Sequence, residues 1–467
     1  MASVVKSFND DRSVMKIIIL GAGQTGSALA EYLVTEKQND VTVVDEDHDK
    51  LQSLQERFDL QVILGKSSYP QVLESAGAES ADMLVAVTNS DEVNMMACQI
   101  GHVMFKIPQK VARIRAPEYN DEKYPFFNKD CINIDHIIAP ENLITNHVSR
   151  LVQYPGALQF ASFYDNRVCL VAVTAYYGGA LVGSELSELK EHLPHVEARV
   201  VAIYRKNRFI RPIGSTLIEA GDMVYFITPP VNIKAVTSEL QRLEKPYKRI
   251  IISGGGGVAV ALAKRLENDY QVKLIERNAQ RAEFIAEQLV NTTVLHGESS
   301  DQELLSQEQV ELTDLFIAVT SDDESNIMSS MLAKRMGAKK VIVLIQRQAY
   351  LELINDSVID IAISPQHATI SELLSHVRQT GIVKVVSLRQ GESEIIEVVA
   401  KGNSDTSKLV GKNINGLKLP SAATIGAVVR GEDVIIVNTD LTIEDNDHLI
   451  IFLPDRKAIT DIERLLQ

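Results

Sequence analysis

Two glycine-rich segments, each preceded by a short apolar run, constrain what this chain can fold into more than any other feature. Lys16–Gly26 reads KIIILGAGQTG, and Arg249–Ala259 reads RIIISGGGGVA. The segments lie 233 residues apart, which is half of the 467-residue chain. Self-similarity at a fixed separation is the sequence signature of an internal repeat.

The similarity continues beyond the glycines. An apolar segment that ends at Asp45 corresponds to one that ends at Glu276. The block ADMLVAVTNSDEVN at 81–94 corresponds to TDLFIAVTSDDESN at 313–326. Within each block, Asn89-x-x-Glu92 and Ser321-x-x-Glu324 match the capping box that begins a helix. The chain is therefore predicted to be the product of one duplication.

Each half is predicted to contain two domains of different kinds. The first part of each half alternates β-branched runs with amphipathic helical stretches, the pattern of βαβ units and a parallel sheet. The second part follows Pro140 or Pro365 and a helical connector, and it carries short strands separated by turns. The predicted fold class is α/β: two Rossmann-like, doubly wound parallel-sheet domains, each followed by a smaller α+β domain. The predicted boundaries are 1–14 for an N-terminal extension, 15–140 and 141–235 for the first pair, and 247–365 and 366–467 for the second.

The two small domains also resemble each other. Leu181-Val-Gly183 matches Leu409-Val-Gly411, and Glu219-Ala-Gly-Asp222 matches Glu444-Asp-Asn-Asp447. The alignment places Gly221 opposite Asn446, and these two residue types tolerate positive φ best. We therefore expect the same tight turn in both copies.

The first glycine segment has the spacing of a dinucleotide-binding turn. Gly21, Gly23 and Gly26 end an apolar strand and begin a helix, and Asp45 follows 19 residues after Gly26. In this motif the glycines allow a sharp turn, a close approach of backbone amides to a pyrophosphate, and close helix packing, while the helix N-terminus attracts phosphate. Asp45 would accept hydrogen bonds from ribose hydroxyls and repel a 2′-phosphate. These residues favour NAD or an adenine nucleotide over NADP.

Further candidates lie at the ends of two neighbouring strands. Thr88 ends one apolar run and Arg113 ends the next. Ligands of doubly wound folds collect at the carboxyl ends of strands, and a guanidinium there could reach phosphates across the crevice. Arg113 is therefore a candidate phosphate ligand.

The second glycine segment leaves three alternatives open. Gly254 and Gly256 are present, but Ala259 replaces the third glycine and Glu276, followed by Arg277, replaces Asp45. The alignment places Val343 where the first copy has Arg113. This copy binds a nucleotide, binds a different one, or is a scaffold whose site has drifted.

Composition excludes several other classes of function. The 62 acidic and 47 basic residues give a net charge of −15, and no run of Lys or Arg is present, so nucleic acid is not an expected partner. Three cysteines without a C-x-x-C pair indicate a reducing compartment, and neither a disulfide framework nor a metal site is expected. Apolar runs are strand-length, so no membrane-spanning helix is predicted. We identify no catalytic residue.

These motifs together resemble the RCK (regulator of potassium conductance) family. The GAGQTG turn, the strand ending at Asp45, the AVTNSDE-x-N block and the small domain with its Glu-Ala-Gly-Asp turn, all duplicated, are similar to the tandem-RCK subunits of bacterial Trk potassium uptake systems. The resemblance covers about residues 15–467. By this resemblance, the candidate nucleotide-binding residues are Gly21, Ala22, Gly23, Gln24, Thr25, Gly26, Asp45, Thr88 and Arg113 in the first copy, and Gly254, Gly256 and Glu276 in the second.

The resemblance also implies ligands, partners and location. Regulatory ligands would be NAD(H) and/or ATP and ADP, with no resident metal. The chain would assemble as a homotetrameric ring beneath an ion-conducting membrane subunit of the TrkH or TrkG type. It would be cytoplasmic and peripheral on the inner face of the plasma membrane.

Two rival functions share the motifs. One is an NAD-dependent oxidoreductase resembling saccharopine-type dehydrogenases, although the small domains offer no acid–base pair suited to hydride transfer. The other is a regulator of a transporter that does not carry potassium.

Overall fold

The computed structural model describes residues 14–35, 39–120, 127, 131–242, 244–354, 358–378, 381–420, 422–437 and 440–466. Almost all of the predicted N-terminal extension lies outside these residues. The chain divides between Ala139 and Pro140 into two compact units. Within the described part of the chain, no helix combines the length and apolarity that a membrane crossing requires.

The first unit is built on a parallel sheet of six described strands in the order β3-β2-β1-β4-β5-β6. Its elements are β1 (Met15–Leu20), α1 (Gln24–Thr35), β2 (Asn39–Asp45), α2 (His48–Arg57), β3 (Gln61–Leu64), α3 (Pro70–Ser75), β4 (Met83–Ala86), α4 (Asp91–Val103), β5 (Gln109–Arg113) and β6 (His136–Ile138). Strands β1 and β4 are buried along their apolar runs, as expected for central strands covered on both faces. The strand order reverses between β1 and β4, and in such sheets this is the place where ligands bind.

The second unit begins with a small antiparallel sheet of five described strands in the order β10-β9-β11-β8-β7. Its elements are α5 (Pro140–Gln153), β7 (Ala157–Phe163), β8 (Val168–Thr174), α6 (Leu189–His192), β9 (Arg199–Arg205), β10 (Arg208–Ile210), β11 (Met223–Thr228) and α7 (Ile233–Leu240). The predicted helical connector is α5, and it begins at Pro140. A proline suits this position because it lacks only an N–H that the first helical turn leaves unbonded.

The second parallel sheet repeats the first, in the order β14-β13-β12-β15-β16-β17. Its elements are β12 (Arg249–Ser253), α8 (Gly257–Leu266), β13 (Gln271–Glu276), α9 (Ala279–Ala286), β14 (Thr293–His296), α10 (Gln302–Gln307), β15 (Leu315–Ala318), α11 (Asp323–Arg335), β16 (Lys340–Leu344), α12 (Gln348–Ile354) and β17 (Ile361–Ile363). The duplication predicted from the sequence is therefore also a duplication of topology.

A second small antiparallel sheet completes the chain, in the order β18-β19-β22-β20-β21. Its elements are α13 (Pro365–Val377), β18 (Ile382–Leu388), β19 (Ser393–Val399), β20 (Thr424–Arg430), β21 (Asp433–Ile436), β22 (His448–Leu453) and α14 (Ile459–Leu466). The predicted turn is present in both copies: Gly221 has φ +92° and Asn446 has φ +64°.

The two small sheets share one hydrophobic core. Tyr225 and Phe163 of the first sheet lie in the same buried cluster as Ile395 and Phe452 of the second. Gly426 of β20 allows the two small sheets to pack this closely, because a Cβ at this position would lie only 2.9 Å from Cγ1 of Val201. The two strands β9 and β20 are equivalent in the repeat, so a valine on one faces a glycine on the other.

The predicted helix starts were wrong by one residue. The side chain of Ser90, not Asn89, accepts the Val93 N–H and caps α4. Asp322, not Ser321, caps α11 in the same way through the Ser325 N–H. The capping-box pattern pairs Glu92 with Asn89. In the structure, the hydroxyl of Ser90 donates to the Glu92 carboxylate instead.

Candidate nucleotide-binding sites

The first glycine turn leaves no room for side chains where it passes other backbone. Gly21 has φ +105°, and a Cβ there would lie 3.1 Å from the backbone of Thr88. A Cβ on Gly26 would overlap the carbonyl oxygen of Gly21. A Cβ on Gly23 would meet nothing within 4 Å. The turn is thus closed toward the protein at Gly21 and Gly26 and open at Gly23, where a ligand can approach the backbone.

Helix α1 begins directly after this opening. Its first turn contains no acidic residue, so no carboxylate of its own neutralises the partial positive charge of its N-terminus. Ser27 N–H donates to the Gly23 carbonyl, and Ser27 Oγ donates to the Ala22 carbonyl. The remaining amides of the first turn are the donors that phosphates use at helix N-termini.

Asp45 ends β2 beside the same turn. Its Oδ2 accepts the Ala22 N–H at 2.6 Å, and its Oδ1 accepts the Asp47 N–H at 2.9 Å. A carboxylate has about four lone-pair positions. Asp45 therefore keeps acceptor capacity for ribose hydroxyls while the two backbone amides hold it in place.

The structure brings Arg113, Thr88 and Thr25 together. Nη2 of Arg113 donates to the Thr88 carbonyl at 2.8 Å, and Nη1 lies 3.5 Å from Oγ1 of Thr25. Thr25 belongs to the first turn of α1. The guanidinium thus spans the crevice between the end of β5 and the N-terminus of α1.

The sequence did not identify Asn94, whose side chain joins Thr88 to the backbone of Arg113 in this crevice. Its Oδ1 accepts from Oγ1 and N of Thr88 at 2.7 and 3.0 Å, and its Nδ2 donates to the Arg113 carbonyl at 2.9 Å. Asn94 is fully buried. The signal was its recurrence as Asn326, which makes the same bonds to Thr320 and Leu344.

Asn326 also corrects the alignment of the second copy. Because Asn94 bonds the Arg113 carbonyl and Asn326 bonds the Leu344 carbonyl, Leu344 is the counterpart of Arg113. The strand registers agree, since Ala112 pairs with Ala86 and Val343 pairs with Ala318. The prediction that Val343 occupies the arginine position was wrong by one residue. The second copy still has an apolar residue where the first has Arg113.

The second glycine turn is adapted to a longer acid. Gly254 has φ +114°, matching Gly21, and a Cβ on Gly255 would overlap the carboxylate of Glu276. The first copy has Ala22 beside Asp45 at these positions. The extra methylene of glutamate therefore fills the space that the alanine methyl would need, and the two substitutions compensate each other.

A cavity of about 260 Å³ lies over the second turn. It is lined by the glycines 254–256, by Glu276, by the cations Arg277 and Arg281, and by Glu298 and Thr320. Nε of Arg281 donates to the Gly255 carbonyl at 2.7 Å, which fixes that arginine at the cavity edge. The second copy therefore keeps a formed concave site with groups of both charges.

The charges around the two turns differ in arrangement. Lys66 follows Gly65 in the first copy, whereas Glu298 follows Gly297 in the second. Glu46 follows Asp45, whereas Arg277 follows Glu276. Both pairs reverse sign, while the acids Asp45 and Glu276 keep the same charge in the two copies.

The buried thiols of Cys98 and Cys169 have raised pKa values but do not form a site. Burial raises the pKa of Cys98 and of Cys169 to about 12, so both thiols stay protonated near neutral pH. Among the described residues, no group of three or more His, Cys, Asp or Glu side chains is arranged to hold a metal ion.

Comparison with known proteins agrees with this architecture. The TrkA-N domain model matches residues 17–140 and 250–365, and the TrkA-C domain model matches 170–241 and 404–466. The Trk system potassium uptake protein TrkA of Vibrio alginolyticus is 58% identical over 453 residues, covering 97% of this chain and 99% of the relative. The proteins of the same name from Haemophilus influenzae and Halomonas elongata are 55% and 53% identical with the same coverage.

A solved structure shares the fold at low sequence identity. The crystal structure of the GsuK RCK domain superposes with a TM-score of 0.61 at 14% identity, covering 98% of this chain and 96% of that one. Two Rossmann-like domains, each followed by a small antiparallel domain and each carrying a glycine turn, define a duplicated protein of alternating TrkA-N and TrkA-C domains. The fold class and the family resemblance predicted from the sequence are both confirmed. The chain belongs to the TrkA family. The relatives are named as potassium uptake proteins. These names support the prediction that the protein is not an enzyme, and they speak against the oxidoreductase alternative.

Proposed function

We propose that this protein is the nucleotide-sensing regulatory subunit of a Trk-type potassium uptake system. The observation that carries the proposal is the first glycine turn, which is open at Gly23, adjoins the N-terminus of α1, and has Asp45 and Arg113 on either side. The transport system is inferred from the names of relatives such as the one that is 58% identical over nearly the whole chain.

The ligands we propose are NAD(H) and/or ATP and ADP. Pyrophosphate would lie at Gly23, Gln24 and Thr25, and Asp45 would accept from the ribose. A structure described as the GsuK channel bound to NAD has the same fold, with a TM-score of 0.61, which supports a nucleotide as the ligand. We propose that the second cavity also takes a nucleotide, held at Gly254, Gly256 and Glu276, and that its reversed charges make it prefer a different one.

Arg113 supplies the mechanism by which a ligand changes the protein. Its guanidinium donates to the Thr88 carbonyl and lies beside Thr25. A phosphate at the N-terminus of α1 would form a charge-assisted hydrogen bond with the same guanidinium, which is stronger than the bond to a neutral carbonyl. Ligands that differ in charge would then stabilise different positions of α1 relative to β5. Couplings of about 1–3 kcal/mol are typical of such population shifts.

The partner we propose is a potassium-conducting membrane subunit of the TrkH or TrkG type. The protein would be a homotetramer, cytoplasmic and peripheral on the inner face of the plasma membrane. The domain boundaries proposed from the sequence, 15–140, 141–235, 247–365 and 366–467, would separate the parts that move.

The test begins with the nucleotide that the purified protein retains, identified by mass spectrometry with its stoichiometry per chain. We expect one or two adenine nucleotides per chain, and potassium uptake in a strain lacking the native subunit should depend on this protein. An Arg113→Lys variant should remain folded and lose ligand-dependent uptake, because an ammonium cannot contact Thr88 and a phosphate in the same way. An empty first crevice, or steady conversion of NADH to NAD by the protein, would contradict the proposal.

A further inference from the structure

The two small sheets meet where equivalent residues of the duplication face each other. Arg205 and Arg430 hold equivalent positions, because each binds the acid of the duplicated turn. Val201 and Gly426 each lie four residues before these arginines, and each is left out of the strand pairing at a β-bulge. A Cβ on Gly426 would lie 2.9 Å from Cγ1 of Val201. The centre of the contact therefore joins one position of the repeat to its own counterpart.

The two ends of the contact are equivalent as well. Nη1 of Arg167, in the turn between β7 and β8, donates at 2.8 Å to the carbonyl of Glu432, in the turn between β20 and β21. At the other end, Arg389, in the turn between β18 and β19, donates to Asn207, in the turn between β9 and β10. Each domain thus contributes the same two turns. A like pair, made of two first small domains or two second small domains from two chains, would bring the same positions together.

Only one of the two central positions has room for a side chain. Val201 is fully buried, and a Cβ on Gly426 would also overlap Cδ1 of Ile227. In a like pair of first domains, Val201 would face a second Val201, and such overpacking destabilises a core. In a like pair of second domains, glycine would face glycine and leave a cavity. Valine against glycine, the combination within one chain, is the one that fills the space.

A buried hydrogen bond distinguishes the pairs in the same way. The hydroxyl oxygens of Tyr204 and Ser393 are 2.6 Å apart, and both residues are buried. The counterpart of Tyr204 in the second domain is Val429, and the counterpart of Ser393 in the first is Val168. In a like pair of first domains, the Tyr204 hydroxyl would face Val168 and lack an acceptor. A buried hydroxyl without a partner is destabilising.

We infer that the small-domain interface accepts only the unlike domain, so that two copies of this chain cannot pair through identical small domains. The selection arises because a like pair places overlap, a cavity or an unpaired hydroxyl in the contact. This surface is already occupied within the chain, and any assembly of several chains has to use other surfaces. The glycine turns take no part in this contact, so the inference stands or falls separately from the proposed nucleotide role.

Two substitutions in the full chain reproduce the contacts of a like pair. Gly426→Val and Ser393→Val each give the second domain the residue that the first domain has at the equivalent position. The reporter is Val429→Cys, a small reduction in volume inside the shared core, combined with Cys131→Ser, because Cys131 is the exposed thiol of the three. The rate of labelling by a maleimide then measures how often the two sheets separate.

We expect labelling to become about tenfold faster, or more, in each valine variant, because an overpacked or unsatisfied contact opens more often. Adding Tyr204→Phe to Ser393→Val should restore most of the slow labelling, since no hydroxyl is then left unpaired. The control is Gly416→Val in the same domain, where a Cβ would meet nothing within 4 Å, and it should leave the rate unchanged. Unchanged labelling in both valine variants would overturn the inference, and Ser393→Val alone decides the matter if Gly426→Val does not fold.

A second experiment looks for the like pair directly. Val201→Cys, again with Cys131→Ser, places a thiol where two first domains from two chains would meet. We expect no disulfide-linked dimer after oxidation with copper phenanthroline. A dimer that reductant cleaves would show that identical domains do pair, and the inference would then be wrong.

Discussion

Arg205 holds the buried carboxylate of Asp222 through two parallel hydrogen bonds. Nε donates to Oδ1 at 2.8 Å and Nη2 donates to Oδ2 at 2.9 Å, while the Asp222 side chain has no exposed surface. Oδ2 also accepts the Glu219 N–H at 2.9 Å, which closes the turn containing Gly221. Arg430 and Asp447 repeat the arrangement in the second small domain, with both bonds at 2.8 Å. The duplicated turn is therefore stabilised by the same ion pair in each copy.

Removing the acid of this pair should destabilise the first small domain. An Asp222→Ala substitution removes the buried acceptor of Arg205 and of the Glu219 N–H; because Arg205 is partly exposed and keeps Glu219 as a partner, we expect a cost of about 1–3 kcal/mol. Thermal unfolding should begin at a lower temperature, and amides of the turn from Glu219 to Asp222 should exchange faster with solvent. Asp447→Ala should do the same in the second domain. Unchanged exchange in the Asp222→Ala protein would show that the pair contributes little.

Removing Asp45, the acid beside the first glycine turn, should weaken nucleotide binding without unfolding the protein. Asp45→Ala deletes the acceptor for ribose hydroxyls, and hydrogen bonds to a charged group contribute about 1.5–3 kcal/mol each, so we expect at least tenfold weaker binding. Isothermal titration with NAD and ATP measures the change. Asp49→Ala, at an almost fully exposed position in α2, is the matched control and should bind normally. Normal affinity in a folded Asp45→Ala protein would remove Asp45 from the site.

The third glycine position should respond differently in the two copies. Gly26→Ala places a methyl group on the Gly21 carbonyl and should displace α1, lowering both the stability of the first unit and its nucleotide affinity. Ala259 fills the same position in the second copy and is fully buried. Ala259→Gly should cost only about 1 kcal/mol through helix propensity. Differential scanning calorimetry of both variants tests the contrast, and equal effects would contradict it.

Glu267 should make stability depend on acid pH. Its Oε2 accepts the N–H groups of Val290, Asn291 and Thr292 at 3.1, 2.9 and 3.1 Å, and the Thr292 hydroxyl at 3.0 Å. Burial acts to raise the pKa of Glu267, but these hydrogen bonds outweigh it and hold the pKa below 4.5. The stabilisation is therefore present above pH 4.5 and is lost as pH falls through the lower folded value.

Glu267→Gln provides the measurement. The variant should unfold about 1–3 kcal/mol more easily at pH 7, because the amide cannot satisfy the same donors as a carboxylate. The difference from the native protein should shrink as pH falls through the lowered pKa of folded Glu267, where this carboxylate itself becomes protonated. A difference in melting temperature that stays constant from pH 7 to pH 3 would show that the charge is not responsible.

Much of the fold and of the first site could be predicted because the relevant signals are local. Gly21, Gly23 and Gly26 lie within six residues, and their spacing reports a turn whose backbone angles only glycine adopts easily. Asp45 was found because the next strand of a βαβ unit ends beside that turn. The assignment of Val343 failed because the residues of an apolar strand look alike when the alignment shifts by one position, and the strand pairing fixes the register. Asn94 was missed because its recurrence as Asn326 lies in a block where several polar residues recur, and only the tertiary structure shows which of them is buried and bonded to Thr88.

The sequence by itself determined the duplication, the order of large and small domains, and the positions of the turns, including positive φ at Gly221 and Asn446. These features depend on steric preferences within a few neighbouring residues, and each copy restates them. Only the tertiary structure decided that Gly255 accommodates Glu276 and that Gly426 meets Val201. Each of these contacts joins residues on different elements, and which pairs meet is decided by how side-chain volumes fill a common core.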